Sequence, residues 1–345
     1  MVKPTLTLEI GSLLTSTDNP VAGIKNLVIE RDMDIPADVL RLQLMERSGI
    51  ALDNAVSAKL GYDGNEEVVF TGNVVALKPA IAAVEIQALG HMNVLLNLRT
   101  SATFENQSAG DIAHHLINEA GATAGTVENG VTFPRYYVDN RISAYEHLRS
   151  LADRLGYELY TDRNGNIMFH PLGPAAGLDS LGGLGSAVAG ALGGAGLSFV
   201  YKQHLLQAAA DRQPVAWRKI DVGGESPMSG KGDTTSHWLT INDSDYRGEA
   251  GDGSPQILVR DPAARTKDLA DRFAAGLLAT HKRNAHEISI TVLGQAQIDL
   301  GDSISSSDVP DDLIDGSGYV RAIRHRFGEG IGFVTDVRIS LDVNE

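Results

Sequence analysis

The adjacent pair His114-His115 is the first place to look for chemistry. Neighbouring positions on a helix point about 100° apart. The pair therefore cannot form the i, i+4 couple that holds zinc from one face, and no His-Glu-x-x-His occurs. The ten histidines are scattered. His325 lies in Arg-His-Arg between strand-like residues, which suits packing better than catalysis. Gly230-Lys231-Gly232 invites comparison with a phosphate loop and fails twice. Lys231 is followed by Gly232 instead of Ser or Thr, and the residue five before Gly230 is Glu225 instead of Gly. No Gly-x-Ser-x-Gly elbow surrounds Ser186 or Ser226. Asp308, Asp311, Asp312 and Asp315 gather before Gly316. Calcium takes oxygen ligands in acidic loops, but this spacing is not that of an EF-hand and Pro310 stiffens the segment, so a turn at a strand end is expected. The expectation is no catalytic, cofactor-binding or metal-ligating residue, no cofactor, and a protein that is not an enzyme.

The elements around these residues are better specified than the chemistry. In the stretch Thr103 to His170, Ser108 caps a helix with Asp111 in its first turn. Ile112, Leu116 and Ala120 share one face before Gly121 stops it. Ser143-Ala-Tyr-Glu146 is a capping box. It opens a second helix with Leu148, Leu151, Ala152 and Leu155 as its apolar stripe and Gly156 at its end. Tyr157 to Tyr160 and Asn166 to Phe169 then read as a hairpin turning at Asn164-Gly165.

Before this unit the chain reads as β. Leu6, Leu8 and Ile10 share one face of a strand. Leu27–Glu30, Val39–Leu44, Val56–Leu60, Val68–Phe70, Val74–Leu77 and Val84–Ala88 are short apolar or alternating runs. Tyr62-Asp63-Gly64-Asn65 is a turn, and His91 to Asn97 closes the region as a short helix. Many short strands in about 90 residues suggest a small barrel or sandwich. After the helical unit, Gly173 to Gly196 is almost wholly Gly, Ala, Leu and Ser. Leu181 to Val200 carries no charge and is long enough to cross a bilayer. Gly and Ala give little transfer energy, however, so a flexible inter-domain insert is the preferred reading. The last part reads as strands at Phe199–Leu205 and Ala216–Val222, a loop from Gly223 to Gly253, and a helix from about Ala263 to His281. Strands follow at Glu287–Leu293, Ser303–Ser305, Gly318–Arg326 and Phe333–Leu341.

The 345 residues suffice for two or three domains. A hydrophobic content of 43% with 21% charged residues is ordinary for a globular chain. The formal charge of −15 argues against a surface built to grip phosphates, so no specific nucleic-acid binding is expected. With no cysteine there is no disulfide frame and no thiolate metal site. Glu9 interrupts any apolar core at the start, so no signal peptide is expected.

Several segments together resemble one family. Ala109-Gly-Asp-Ile-Ala-His-His-Leu-Ile-Asn-Glu-Ala-Gly121 resembles a helix of the phage late-control D proteins, the baseplate hubs of contractile tails. Ser143 to Tyr157 is similar to the next helix of that family, and Asp162 to Phe169 to its hairpin. Val69-Phe-Thr-Gly72 with Val74 and Val75 resembles its early strand pair. Ile290 to Gly294, Leu300-Gly-Asp302, Val320 to His325 and Gly332 to Thr335 resemble its closing strands.

The resemblance implies a β-rich α+β fold with two small antiparallel β-barrels joined by an α/β connector. The expected layout is a first barrel at 1–100, a connector at 101–171 and a Gly/Ala-rich insert at 172–198. A second barrel at 199–345 carries a helix about 263–281 and a loop excursion about 223–262. It also implies a homotrimer whose six barrels form a pseudo-sixfold ring. That ring would adapt a sixfold inner tail tube to a threefold spike, in contact with other baseplate proteins. The hub region of type VI secretion spike proteins is similar. No spike region follows Glu345, so a separate spike protein is expected, with assembly in the bacterial cytoplasm into a virion tail or injection particle. Two rival readings are a cell-wall hydrolase using some of the carboxylates, and a carbohydrate- or membrane-binding module using the 173–196 segment.

Overall fold

The computed structural model describes residues 3–18, 23–45, 49–171, 197–224, 247–283 and 285–341. Ser186, Ser226, Gly230, Lys231 and Gly232, with the Gly/Ala stretch from 173 to 196, lie outside the described residues.

Alternation of apolar and polar residues makes the first part a run of strands. These are β1 (Pro4–Ile10), β2 (Leu13–Ser16), β3 (Ile24–Asp32), β4 (Val39–Leu44), β5 (Ala55–Tyr62), β6 (Asn65–Pro79) and β7 (Val84–Gly90). Every second residue points inward: Leu6, Leu8 and Ile10 on β1, Leu40, Leu42 and Leu44 on β4, Ile86 and Ala88 on β7 are all fully buried. Truncating one of these leucines to alanine removes about 2–5 kcal/mol. The runs expected separately at 68–70 and 74–77 form one strand, β6, which bends as it passes from β5 to β7 through a register shift at each pairing.

The middle contains α1 (Asn93–Asn97), β8 (Ala102–Ser108), α2 (Ala109–Glu119), β9 (Ala124–Val127), β10 (Thr132–Val138), α3 (Ala144–Leu155), β11 (Glu158–Thr161) and β12 (Ile167–His170). Both capping boxes form as the sequence indicates, Ser108 with Asp111 and Ser143 with Glu146. Gly156 ends α3 in the left-handed region at φ 68°. β8 and β10 pair with each other across α2, and β9 lies parallel to β12. The sequence reading contains none of β8, β9 and β10.

The last part contains β13 (Leu197–Val200), β14 (Leu205–Arg212), β15 (Lys219–Gly224), β16 (Arg247–Gly251), β17 (Gln256–Asp261), α4 (Lys267–Arg283), β18 (His286–Leu293), β19 (Ser303–Ser307), β20 (Gly316–Gly328) and β21 (Gly332–Leu341). β16 and β17 fall in the span expected as a loop excursion. They flank β15, one antiparallel and one parallel, and α4 packs on this small sheet. Ile220, Val222, Leu269, Phe273 and Leu278 share one apolar core with α2, α3 and the 158–170 hairpin. Phe133 and Phe273 meet at 6.1 Å between ring centroids within it.

One long sheet runs in the order β14-β18-β21-β20-β3-β4-β7-β6-β5-β1-β2, with β19 and β13 branching from β20. The first β unit surrounds a core of Leu, Ile and Val from residues 6 to 88, and the second surrounds Ile288, Ile290, Ile304, Val320, Ile323 and Ile339. The two meet edge to edge: β3 pairs antiparallel with β20 from Asn26–Gly328 to Asp32–Ala322. The architecture is β-rich α+β, two antiparallel β units joined through helices and short strands. No helix among the described residues is long and apolar enough to cross a membrane.

Candidate functional site

The charged residues that matter most lie on strands that otherwise feed the cores. Arg31 ends the run Leu27-Val-Ile-Glu-Arg and is only 2% exposed. Its Nη1 donates to Asp299 Oδ1 at 2.6 Å, its Nη2 to the Thr161 carbonyl at 2.7 Å, and its Nε to Asp38 Oδ2 at 3.2 Å. One guanidinium therefore grips the first unit, the hairpin and the second unit. The hairpin turn makes this possible. Asp162 Oδ1 accepts from the amides of Asn164 and Asn166, and Gly165 adopts φ 85°. Arg163 is thereby aimed at Asp299, which its Nε reaches at 3.1 Å, and it also donates to the Gln297 carbonyl. Burial disfavours the charged Asp299 carboxylate, but Arg31 and Arg163 outweigh it and hold the group below the usual carboxylate range.

A second cluster centres on Glu158, which is fully buried in β11. Its Oε1 accepts from Arg321 Nη1 and lies beside Arg283 Nη1, each at 2.6 Å. Arg149 stands 3.8 Å from the other oxygen. Arg321 owes its inward direction to a bulge: the β20–β21 register shifts between Val320 and Ala322, so Arg321 has no partner position on β21. Its second terminal nitrogen reaches Asp34 at 2.7 Å, and Arg338 Nη2 bridges Asp32 and Asp34 at 2.7 and 2.6 Å. Burial disfavours the Asp34 carboxylate, and Arg321 and Arg338 more than offset that, lowering its pKa. α3, α4, β11, β20, β21 and the loop after β3 thus converge on one set of charges.

His325 belongs to the same junction. It is 1% exposed, and its Nδ1 lies 3.0 Å from Thr335 Oγ1. Burial, with Arg31 and Arg163 nearby, pushes the imidazole down to about 3. Burial lowers the pKa of His170 as well. Its Nδ1 lies 2.8 Å from the Pro171 carbonyl, which can only accept, so Nδ1 carries the proton and Nε2 accepts from the Tyr160 hydroxyl at 3.0 Å.

Above the junction, the outer face of the long sheet forms a groove of about 590 Å³. Two rows of side chains cross it: Ala209, Ser289, Arg338, Ala322 and Asp32, then Gln207, Thr291, Asp336, Arg324 and Glu30. Its charges are paired with one another or with neighbours, Arg324 with Glu30, Arg326 with Asp336 and Arg338 with Asp32.

The residues singled out from sequence do not converge. His114 and His115 are exposed on α2, where His115 meets Glu119 at 3.4 Å and packs edge-on against Phe104. Asp308, Asp311, Asp312 and Asp315 are exposed, and Asp311 Oδ1 accepts from the Leu313 amide as in an Asx turn. Among the described residues no group of His, Asp and Glu could hold a metal ion. The arginines and acids of the junction were missed. Glu158 and Arg321 stood out as charges within apolar runs, but the face Arg321 occupies depends on a bulge that only pairing reveals, and Arg31 was masked by Glu30 and Asp32 beside it.

No family model matches the chain, and no curated protein is similar in sequence. Solved structures are similar in fold. The 43 kDa tail protein of prophage MuSo2 from Shewanella oneidensis superposes with a TM-score of 0.69 at 14% identity, covering 98% of each chain. A tail protein from Neisseria meningitidis MC58 gives 0.69 at 13% identity, over 99% of this chain and 97% of its own. The E. coli c3393 protein gives 0.60 at 9% identity, over 98% of this chain and 77% of its own. That protein is a component of the type VI secretion system with structural similarity to the T4 bacteriophage tail proteins gp27 and gp5. Over nearly its whole length, the chain has a fold shared by phage tail proteins and a type VI secretion component.

Proposed function

We propose that this chain is a structural hub of a phage tail or a related contractile injection particle. In this reading three copies form a pseudo-sixfold ring that joins the inner tail tube to a separate spike protein, among other baseplate proteins. The observation that carries it is the fold likeness, which extends end to end over two phage tail proteins. The junction supports it. An adaptor that presents two β units at fixed angles needs them locked together, and Arg31, Glu158 and Arg321 tie both units to the hairpin between them. The junction carboxylates Glu158, Asp34 and Asp299 lend a hydrolase reading no support, since arginines engage them. The late-control D resemblance carried by residues 109–121, 143–157 and 162–169 points the same way.

Native mass spectrometry of the full chain, alone and with co-expressed tube protein, tests this. A trimer that binds tube protein, and a ring in negative-stain images, is the expected result. A chain that stays monomeric at all concentrations and never binds tube or spike protein overturns it.

A further inference from the structure

We propose that β14 is the docking edge for the first β unit of a second copy of this chain. The inference rests on the hub reading and names the surface through which that ring would close.

In the long sheet, β14 is the terminal strand of the second unit, and among the described residues it pairs on one side only, with β18. Natural sheets defend such edges with lysine, proline, inward charges or bulges. β14 has a bulge near Leu206 and charges at Asp211 and Arg212, but its centre, Gln207-Ala-Ala-Ala210, carries no defence. Alanine is a poor strand former. Ala208 and Ala210 pack on this chain's own core and Ala209 faces out, and none of the three sets a charge or a ring beside the open edge that would turn away an incoming strand. Leu206, 58% exposed, is the bulge residue between the paired Leu205 and Gln207, and Leu293, 60% exposed, follows Val292, the partner of Leu205. They place apolar surface beside the edge.

The occupant follows from a contact the chain already makes. β3 of the first unit pairs edge to edge with β20 of the second, so these two units are built to share a sheet. β14 lies at the opposite side of the second unit from that seam. A head-to-tail contact of second unit to first unit closes a ring when repeated by rotation. The occupant is therefore a strand of the first unit from the next copy.

Hydrogen exchange on the full-length protein tests this. In the assembled oligomer, the β14 amides facing away from β18 should exchange about tenfold or more slowly than in diluted monomer. The double variant Leu206→Lys, Ala209→Glu should keep the circular dichroism and melting temperature of the parent and run as a monomer. If the parent assembles with those amides unprotected, or the folded variant assembles as well as the parent, the docking proposal fails while the hub reading stands. If the parent never assembles, with or without tube protein, the hub reading fails with it.

Discussion

Arg31 and Asp299 stand 268 positions apart in the chain and 2.6 Å apart in space. The pair carries the geometric relation between the two β units, because each residue is also tied to the hairpin, Arg31 through the Thr161 carbonyl and Asp299 through Arg163.

Removing Arg31 should therefore be costly. Arg31→Ala leaves the buried Asp38 carboxylate without its cation and Asp299 with Arg163 alone, which destabilises by about 3–5 kcal/mol. Arg41→Ala, which breaks a largely exposed pair with Glu30, should stay within about 1 kcal/mol. Urea titrations of both variants against the parent decide this. Equal, small losses would show that the buried pair does not hold the units together.

Glu158→Gln tests the second cluster. The substitution keeps size and leaves Arg283 and Arg321 facing each other without the carboxylate between them, Arg321 keeping only Asp34. The expected loss is again about 3–5 kcal/mol. Adding the Arg321→Met change to Glu158→Gln should recover part of it, since one of the opposed cations is gone. A double variant as unstable as the sum of its singles would contradict this coupling.

Stability should fall on mild acidification because of His325. Its imidazole titrates at about 3 when folded and near 6.5 when unfolded. Between those values the unfolded chain takes up a proton that the folded one refuses, so stability declines as pH drops from about 6.5, by up to about 1.4 kcal/mol per unit. The lowered carboxyls of Asp34 and Asp299 add a further loss at lower pH, once they begin to protonate below the unfolded carboxylate range near 4. Denaturation midpoints of the parent and His325→Gln at pH 7 and pH 5 should diverge, the parent losing more. Parallel losses would count against a neutral buried histidine.

The crossing of α3 and α4 should not tolerate a side chain. A Cβ at Gly276 would collide with the Arg154 carbonyl and the Gly156 amide. Both are backbone atoms, so the helices themselves must separate. Gly276→Ala should cost about 1–3 kcal/mol despite the higher helix propensity of alanine. A thermal melt at or above the parent's would refute this close approach.

Local signals were the legible part of the sequence. The capping boxes at Ser108 and Ser143, the stop at Gly156 and the Asn164-Gly165 turn all act within four residues, and each is present. Strands with strict alternation, such as Val39–Leu44 and Val84–Gly90, were legible for the same reason. β8, with Glu105, Asn106 and Gln107, and β14, with its alanines, lack that alternation and are strands because of what lies beside them. β16 was hidden by its two glycines, which signal turns, while β17 carries the apolar run Ile257-Leu-Val259 and was obscured only by the Gly- and Asp-rich stretch before it. The junction was illegible because burial of Arg321 depends on a one-residue bulge, and burial of Arg31 on an aspartate far down the chain.

The seam between β3 and β20 also sets a schedule for the newborn chain. β3 is made nearly 300 residues before the strand that covers its edge, which begins at Gly316 and meets it from Ala322 onward. At ribosomal speeds of about 5–20 residues per second, the first unit waits roughly 15–60 s with that edge open. During this interval several chains on one messenger hold the same uncovered strand close together. Translation thus becomes the period of greatest aggregation risk, and slower elongation or denser polysome loading should lower the soluble yield.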